Sequence, residues 1–197
     1  MFFWTQFGAI FLIFSFLYLF LITNTADFFL LNNFTFNLFD VNLLLLLWLI
    51  GFGVKIPIWP FYNWLPKAHV EASTNFSIFL SGVLVKFAFF GFFKCLLIIQ
   101  LESTLYHIIP FLLLGIIDSV FKLFYQIDLK KLIAYTTVVE MHWLFLSLIT
   151  GQTFLYLATF SMLISHALIS TNSFLLVDSI NRRFKTCLLY TSDAADE

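Results

Sequence analysis

Long unbroken apolar runs, separated by short polar stretches, set the pattern of this chain. The runs are Trp4–Ile22, Val41–Val54, about Asn75–Ile99, about Leu105–Tyr125, about Leu132–Leu148 and about Phe154–Val177. A helix crosses a bilayer with about 20 mainly apolar residues, so the pattern predicts six crossings. A transmembrane β-strand would alternate apolar and polar positions, whereas Asn42–Ile50 and Phe111–Ile117 are continuous. The second run is interrupted. It meets Lys55, Pro57 and Pro60 and continues irregularly through Trp64-Leu65-Pro66. Proline supplies no backbone N–H and clashes with the preceding turn, which predicts a broken helix there. The polar stretch Asn24–Asn37 and the other short links suit packed antiparallel helices. Asp128 is placed to cap the fifth helix and Gly151 to end it. The expected architecture is an all-α, polytopic membrane helix bundle of about six transmembrane helices, one of them broken at Pro57/Pro60. Residues 1–186 form this transmembrane domain, and 187–197 are a small, acidic, non-membrane tail.

Composition narrows the class further. Hydrophobic residues make up 61% and charged residues 11% of the 197 residues, with a mean hydropathy of +0.98. Soluble domains carry about 25% charged residues, so a soluble globule is excluded, and disorder needs a chain poor in apolar residues. The net charge is −1, which gives no basic surface for nucleic acid. Cys95 and Cys187 make neither a disulfide framework nor a metal cluster. The few basic residues are unevenly placed. If the broken segment crosses once, one side carries Lys67, Lys130, Lys131, Arg182, Arg183 and Lys185, and the other only Lys94. By the positive-inside rule the first side is cytoplasmic, or the matrix in a mitochondrion.

Ionisable residues inside apolar spans are costly and mark ion or proton pathways. Lys86 lies near the middle of the third span. It is either a structural ion-pair partner or a buried lysine that takes and releases a proton. Lys55 sits at the proline break, where freed carbonyls suit a hydrated path; the alternative is an ordinary kink with a snorkelling lysine. Glu140 is mid-way along the fifth helix, to be satisfied by a hydroxyl or a lysine of a neighbour, or to carry protons. His166, mid-way along the sixth, either hydrogen-bonds across helices or relays protons through its two ring nitrogens. Asp118 and Lys122 are four apart and are expected to pair on one helix face. His142 faces differently from Glu140. His107 and Lys94 are interfacial, and His69 and Glu71 fall in the link after the break. The series Lys55, Lys86, Glu140 and His166 on successive helices points to a proton or cation path. No nucleotide loop or nucleophile–base pair accompanies it.

Four motifs carry a resemblance. Lys55, Pro57, Trp64-Leu65-Pro66, Ala68-His69 and Glu71-Ala72 match the pattern K-x-P…W-L-P-x-A-H-x-E-A. Gly82-Val83-Leu84-Val85-Lys86 matches G-x-L-x-K, Asp128–Thr137 matches D-L-K-K-x-I-A-Y-S-S, and Ser165-His166-Ala167-Leu168 matches S-H-G-L. In order and spacing these resemble the chain 4 family of NADH:ubiquinone oxidoreductase, the antiporter-like membrane subunits of respiratory complex I. The resemblance covers about residues 1–186. It implies a proton-translocating subunit of the mitochondrial inner membrane, driven by quinone reduction elsewhere. Its partners would be the other complex I membrane subunits, the lipid bilayer, protons and water, with no cofactor in this chain. It gives Lys55 the role of the lysine at the broken helix, Lys86 the link toward the centre, and His166 the relay in the second half. Glu140 stands where the family has the histidine of S-H-M, Tyr62 where it often has histidine, and Ser73 where it usually has proline. The chain is expected to hold only the middle of the family fold, without the earlier helix that carries a partner glutamate and without the later broken helix. The tail from Cys187 does not resemble the family and is expected to be non-native. The alternatives are a cation/proton antiporter subunit of related ancestry, or a structural membrane subunit whose buried charges only hold helices together.

Overall fold

The structure is a computed structural model that describes residues 2–99, 107–150 and 153–184. Gly151 and the tail from Cys187 lie outside the described residues. Among the described residues nine α-helices follow in order: α1 (Phe2–Thr23), α2 (Phe28–Asn32), α3 (Leu38–Lys55), α4 (Trp64–Glu71), α5 (Thr74–Phe79), α6 (Val85–Ile99), α7 (Ile109–Phe124), α8 (Leu129–Ile149) and α9 (Thr153–Phe184). Among the described residues there is no strand. Five stretches are long and apolar enough to cross a membrane: α1, α3, Thr74–Ile99, α8 and most of α9. The fourth expected crossing, about Leu105–Tyr125, is represented among the described residues by α7. Pro110 lies in the first turn of α7, where its missing N–H costs nothing. The helix then has 16 residues, about 24 Å at 1.5 Å per residue, against a hydrocarbon core of about 30 Å.

Local chemistry sets the helix ends. Asn24 takes a left-handed conformation (φ 53°) and its N–H donates to the Phe20 carbonyl at 2.8 Å, which closes α1. The Asp27 side chain accepts from the Phe29 N–H, capping the short α2 inside the polar stretch, where no helix is expected from the pattern. Asp128 caps α8 as expected, accepting from the Lys130 N–H at 3.0 Å. The broken second run is also as expected. α3 stops at Lys55, a 3-10 turn covers Phe61–Asn63, and α4 resumes at Trp64. The third run holds a feature absent from the pattern, a π-helical turn at Leu80–Leu84 between α5 and α6. Such turns recur at functional sites in helices.

Packing places these elements around a main core, with a second small core of Tyr62, Trp64, Leu65, Leu80 and Val138 beside the break. α3 lies against α1 and α6, α8 against α4, α7 and α9, and α5 with the π turn against α9. Leu44, Trp48, Phe89, Phe92, Leu112, Met141 and Leu144 are fully buried at the centre of the main core. α1 and α3 approach through Gly8 and Gly51. A Cβ on Gly8 would stand 2.9 Å from the Gly51 carbonyl oxygen, and one on Gly51 would stand 2.7 Å from Leu12. Small residues that let backbones touch are a general device of membrane helix pairs, where lipid removes the hydrophobic drive between helices. The outer faces of α1, α7 and α9 are covered with large apolar side chains such as Phe14, Phe121 and Leu176, as a membrane requires. Lys130 Nζ donates to the Ala72 carbonyl at 3.2 Å. The start of α8 and the α4–α5 junction therefore share one end of the bundle, as the charge asymmetry requires.

Candidate functional site

Lys55 ends α3 and is half-buried. It lines a cavity of about 370 Å³ together with Thr5, Trp64, Leu80, Leu84 and Val85. Leu80 and Leu84 belong to the π turn, and Val85 is next to Lys86. The cavity thus joins the lysine at the break to the segment that carries the second lysine. Thr5 and Lys55 are its polar lining residues, and the rest of its wall is apolar.

Lys86 is half-buried in the first turn of α6, and its ammonium donates to the carbonyl of Ser81 inside the π turn. Glu140 on α8 is the carboxylate whose field reaches Lys86. Glu140 in turn meets Nδ1 of His166 on α9, and His166 is 3% exposed. The carboxylate thus lies against an imidazole rather than the hydroxyl or lysine that the sequence offers. Lys86, Glu140 and His166 lie on three elements, and the cavity beside Lys55 reaches Val85, the neighbour of Lys86, but none of the three. Both ring nitrogens of His166 and Oγ of Ser81 are buried without a hydrogen-bond partner among the described residues, so the Glu140 contact is one of charge proximity.

His69 is the residue that sequence reasoning leaves in a link. It is 1% exposed and stacks on Phe174 of α9 with ring centroids 4.8 Å apart. Lys86 and Lys130 both act on it electrostatically. Neither ring nitrogen has a hydrogen-bond partner among the described residues. Buried polar atoms are nearly always satisfied by protein or ordered water, so an imidazole between two lysines belongs with the site. The available signal is its spacing. His69 falls about one and a half turns into an eight-residue helix, on the same face as Leu65 and Pro66, both also buried.

His142 does something else. Its Nδ1 lies 2.7 Å from the Val138 carbonyl, and its Nε2 accepts from the Trp59 N–H at 2.9 Å. A carbonyl can only accept and an amide can only donate, so the ring is the neutral tautomer with the proton on Nδ1. Protonating Nε2 would break the bond to Trp59. His142 is therefore a prop for the broken segment and no substitute for the family's histidine at position 140. Gly115 makes room for it: a Cβ there would run into His142 Nε2 and come within 2.7 Å of Trp59 Cβ.

Asp118 and Lys122 pair as expected, at 2.9 Å. They also reach across to the break. Tyr62, fully buried, donates its hydroxyl proton to Asp118 and accepts from Lys122 Nζ at 2.6 Å. Lys94, at the far end of α6, lies over the Phe28 and Phe90 rings at 5.2 and 5.6 Å, as an interfacial lysine would.

Comparison with known proteins gives a consistent result. Residues 1–192 match the family described as "NADH:quinone oxidoreductase/Mrp antiporter, TM"; the match runs past Cys187. NADH-ubiquinone oxidoreductase chain 4 of Paramecium tetraurelia is 43% identical over 183 residues, covering 93% of this chain and 39% of that protein. NADH-quinone oxidoreductase subunit M of Rickettsia bellii is 30% identical over 189 residues, again covering 93% of this chain and 38% of its own length. Among solved structures, a chain of respiratory complex I from Thermus thermophilus with bound NADH superposes with a TM-score of 0.81. It is 19% identical and covers 94% of this chain and 41% of that one, a likeness of fold. The chain spans about two fifths of the length of the relatives it matches.

Proposed function

This chain belongs to the NADH:quinone oxidoreductase/Mrp antiporter transmembrane family, and on that premise we propose that it acts in the proton-translocating membrane arm of NADH:ubiquinone oxidoreductase. Electron transfer from NADH to quinone takes place in partner subunits, and this chain holds no cofactor. Its membrane is the mitochondrial inner membrane. The observation that carries the reading is the contact of Glu140 with His166, with Lys86 in electrostatic reach. An ammonium, a carboxylate and an imidazole kept inside an apolar bundle are expensive unless they work.

Each group has a chemical part. Lys55 holds a proton at the mouth of the cavity, beside carbonyls freed by the proline break. Lys86 receives a proton through the water that the cavity admits. Glu140 is the carboxylate in reach of Lys86 and lies against His166, so a proton passed to this pair removes the charge that Lys86 faces and lets Lys86 discharge. His69 offers an exchange point toward Lys130 at the basic end.

The family description also names antiporters, so a cation/proton antiporter subunit is the second reading. Inside-out membrane vesicles that contain the assembled complex separate the two. Proton uptake is expected to start on NADH addition and to be the same with and without sodium. Uptake that requires sodium and proceeds without NADH oxidation would overturn the respiratory reading.

A further inference from the structure

The segment from Trp59 to Asn63 is held by aromatic packing, as of Trp59 on Phe111 and Tyr62 on Tyr135, and by polar contacts from two helices. Trp59 N–H donates to His142 on α8. The Tyr62 hydroxyl donates to Asp118 on α7 and accepts from Lys122, one turn on. Lys122 also reaches Asn63 Oδ1 at 3.5 Å and lies over the Tyr62 ring, 4.9 Å from its centroid. Behind the segment, Trp64 Nε1 donates to the Val54 carbonyl at 2.8 Å, one residue before Lys55. The Ile58 N–H donates to the Gly53 carbonyl at 2.9 Å. The turn that follows Lys55 is therefore tied at both its ends, and Tyr62 is its outer tie.

The chemistry of that tie is specific. Asp118 and Lys122 could neutralise each other without Tyr62, because they are four apart on one helix face. Inserting a phenol between them uses both functions of one hydroxyl, the donor on the carboxylate and the acceptor for the ammonium. Both charges assist these bonds, which makes them stronger than neutral ones. A tyrosine at 62 without the pair would leave a buried hydroxyl unpaired, and the pair without tyrosine would keep only the long contact of Lys122 with Asn63.

We propose that Tyr62, Asp118 and Lys122 are positioning residues of the proton path: they latch the broken segment onto α7 and so fix where Lys55 stands over its cavity. The inference rests on the respiratory reading above. It assigns these residues no proton of their own.

The test uses the full-length subunit in its assembled complex, reading protons moved per NADH oxidised beside the amount of complex on native gels. Tyr62→Phe keeps the buried ring and removes both hydrogen bonds. It is expected to leave assembly and NADH oxidation near wild type and to lower proton translocation through this subunit about tenfold, the scale of one charge-assisted bond. Asp118→Ala should do the same, and Asp118→Glu should restore most of the loss by rebuilding the carboxylate contact. A purely structural role would reduce the amount of complex and leave the ratio unchanged. An unchanged ratio in both Tyr62→Phe and Asp118→Ala overturns the latch. Lys86→Met run in parallel separates the two failures: if it lowers the ratio while the latch variants do not, only the latch is wrong, and if it too is silent, the respiratory reading falls with it.

Discussion

Replacing Lys86 with methionine is expected to stop proton transfer through this subunit while the subunit still assembles. Methionine matches the length and flexibility of the lysine stem, so the packing of α6 against the π turn survives. What disappears is the ammonium that donates to the Ser81 carbonyl and that answers the field of Glu140. A backbone carbonyl in a π turn retains other donors, so the structural cost is small. The functional cost is large, because a methionine holds no proton. The rate of proton translocation should fall roughly a hundredfold, the scale on which one positioned proton-transfer group acts. Vesicles carrying the variant, assayed for NADH-driven acidification, check this. Acidification at the wild-type rate would remove Lys86 from the path.

The second large effect is structural. Gly51→Leu places a side chain where a Cβ alone would stand 2.7 Å from Leu12 and 3.1 Å from the Gly8 carbonyl oxygen. The obstacle on one side is backbone, which cannot step aside like the end of a flexible side chain. Overpacking of a well-filled core costs about 1–3 kcal/mol and more where backbone must move. α1 would have to leave α3, and with it the Gly8–Val54 contact that abuts Lys55. The variant is expected to be absent from the assembled complex on native gels. Gly53→Ala is the matched control, because a Cβ at Gly53 meets nothing within 4 Å; it should assemble normally. Assembly of Gly51→Leu at the wild-type level would show that the close α1–α3 crossing is not needed.

Much of this arrangement was readable in the chain, because membrane helices announce themselves by apolar length. The breaks at Thr23, Lys55 and Asp128 follow from an asparagine able to adopt positive φ, from two prolines and from an N-capping aspartate, all local signals. The deep ionisable residues were legible for the same reason: Lys86 and His166 stand out because their surroundings are apolar. What sequence cannot show is which helix faces which. Glu140 finds its partner on α9, and His142, two residues on, turns to the proline break and props Trp59. His69 looked like a link residue because its helix is only eight residues long, and its burial comes from α9. The Asp118–Lys122 pair was expected from its i, i+4 spacing, but Tyr62 between them depends on a crossing of the break and α7. The π turn at Leu80–Leu84 has no signal in the apolar pattern.

The central claim is that these buried groups act by gaining and losing protons and not by holding helices together. Glu140→Gln tests it most directly, since glutamine keeps the size of the side chain and a carbonyl oxygen to meet His166 but cannot carry a proton. The quantity to measure is the number of protons moved per NADH oxidised, in vesicles holding equal amounts of assembled complex. The account predicts a lower ratio with NADH oxidation sustained. The wild-type ratio in Glu140→Gln would contradict it, and would leave the charges of this bundle as structural ties.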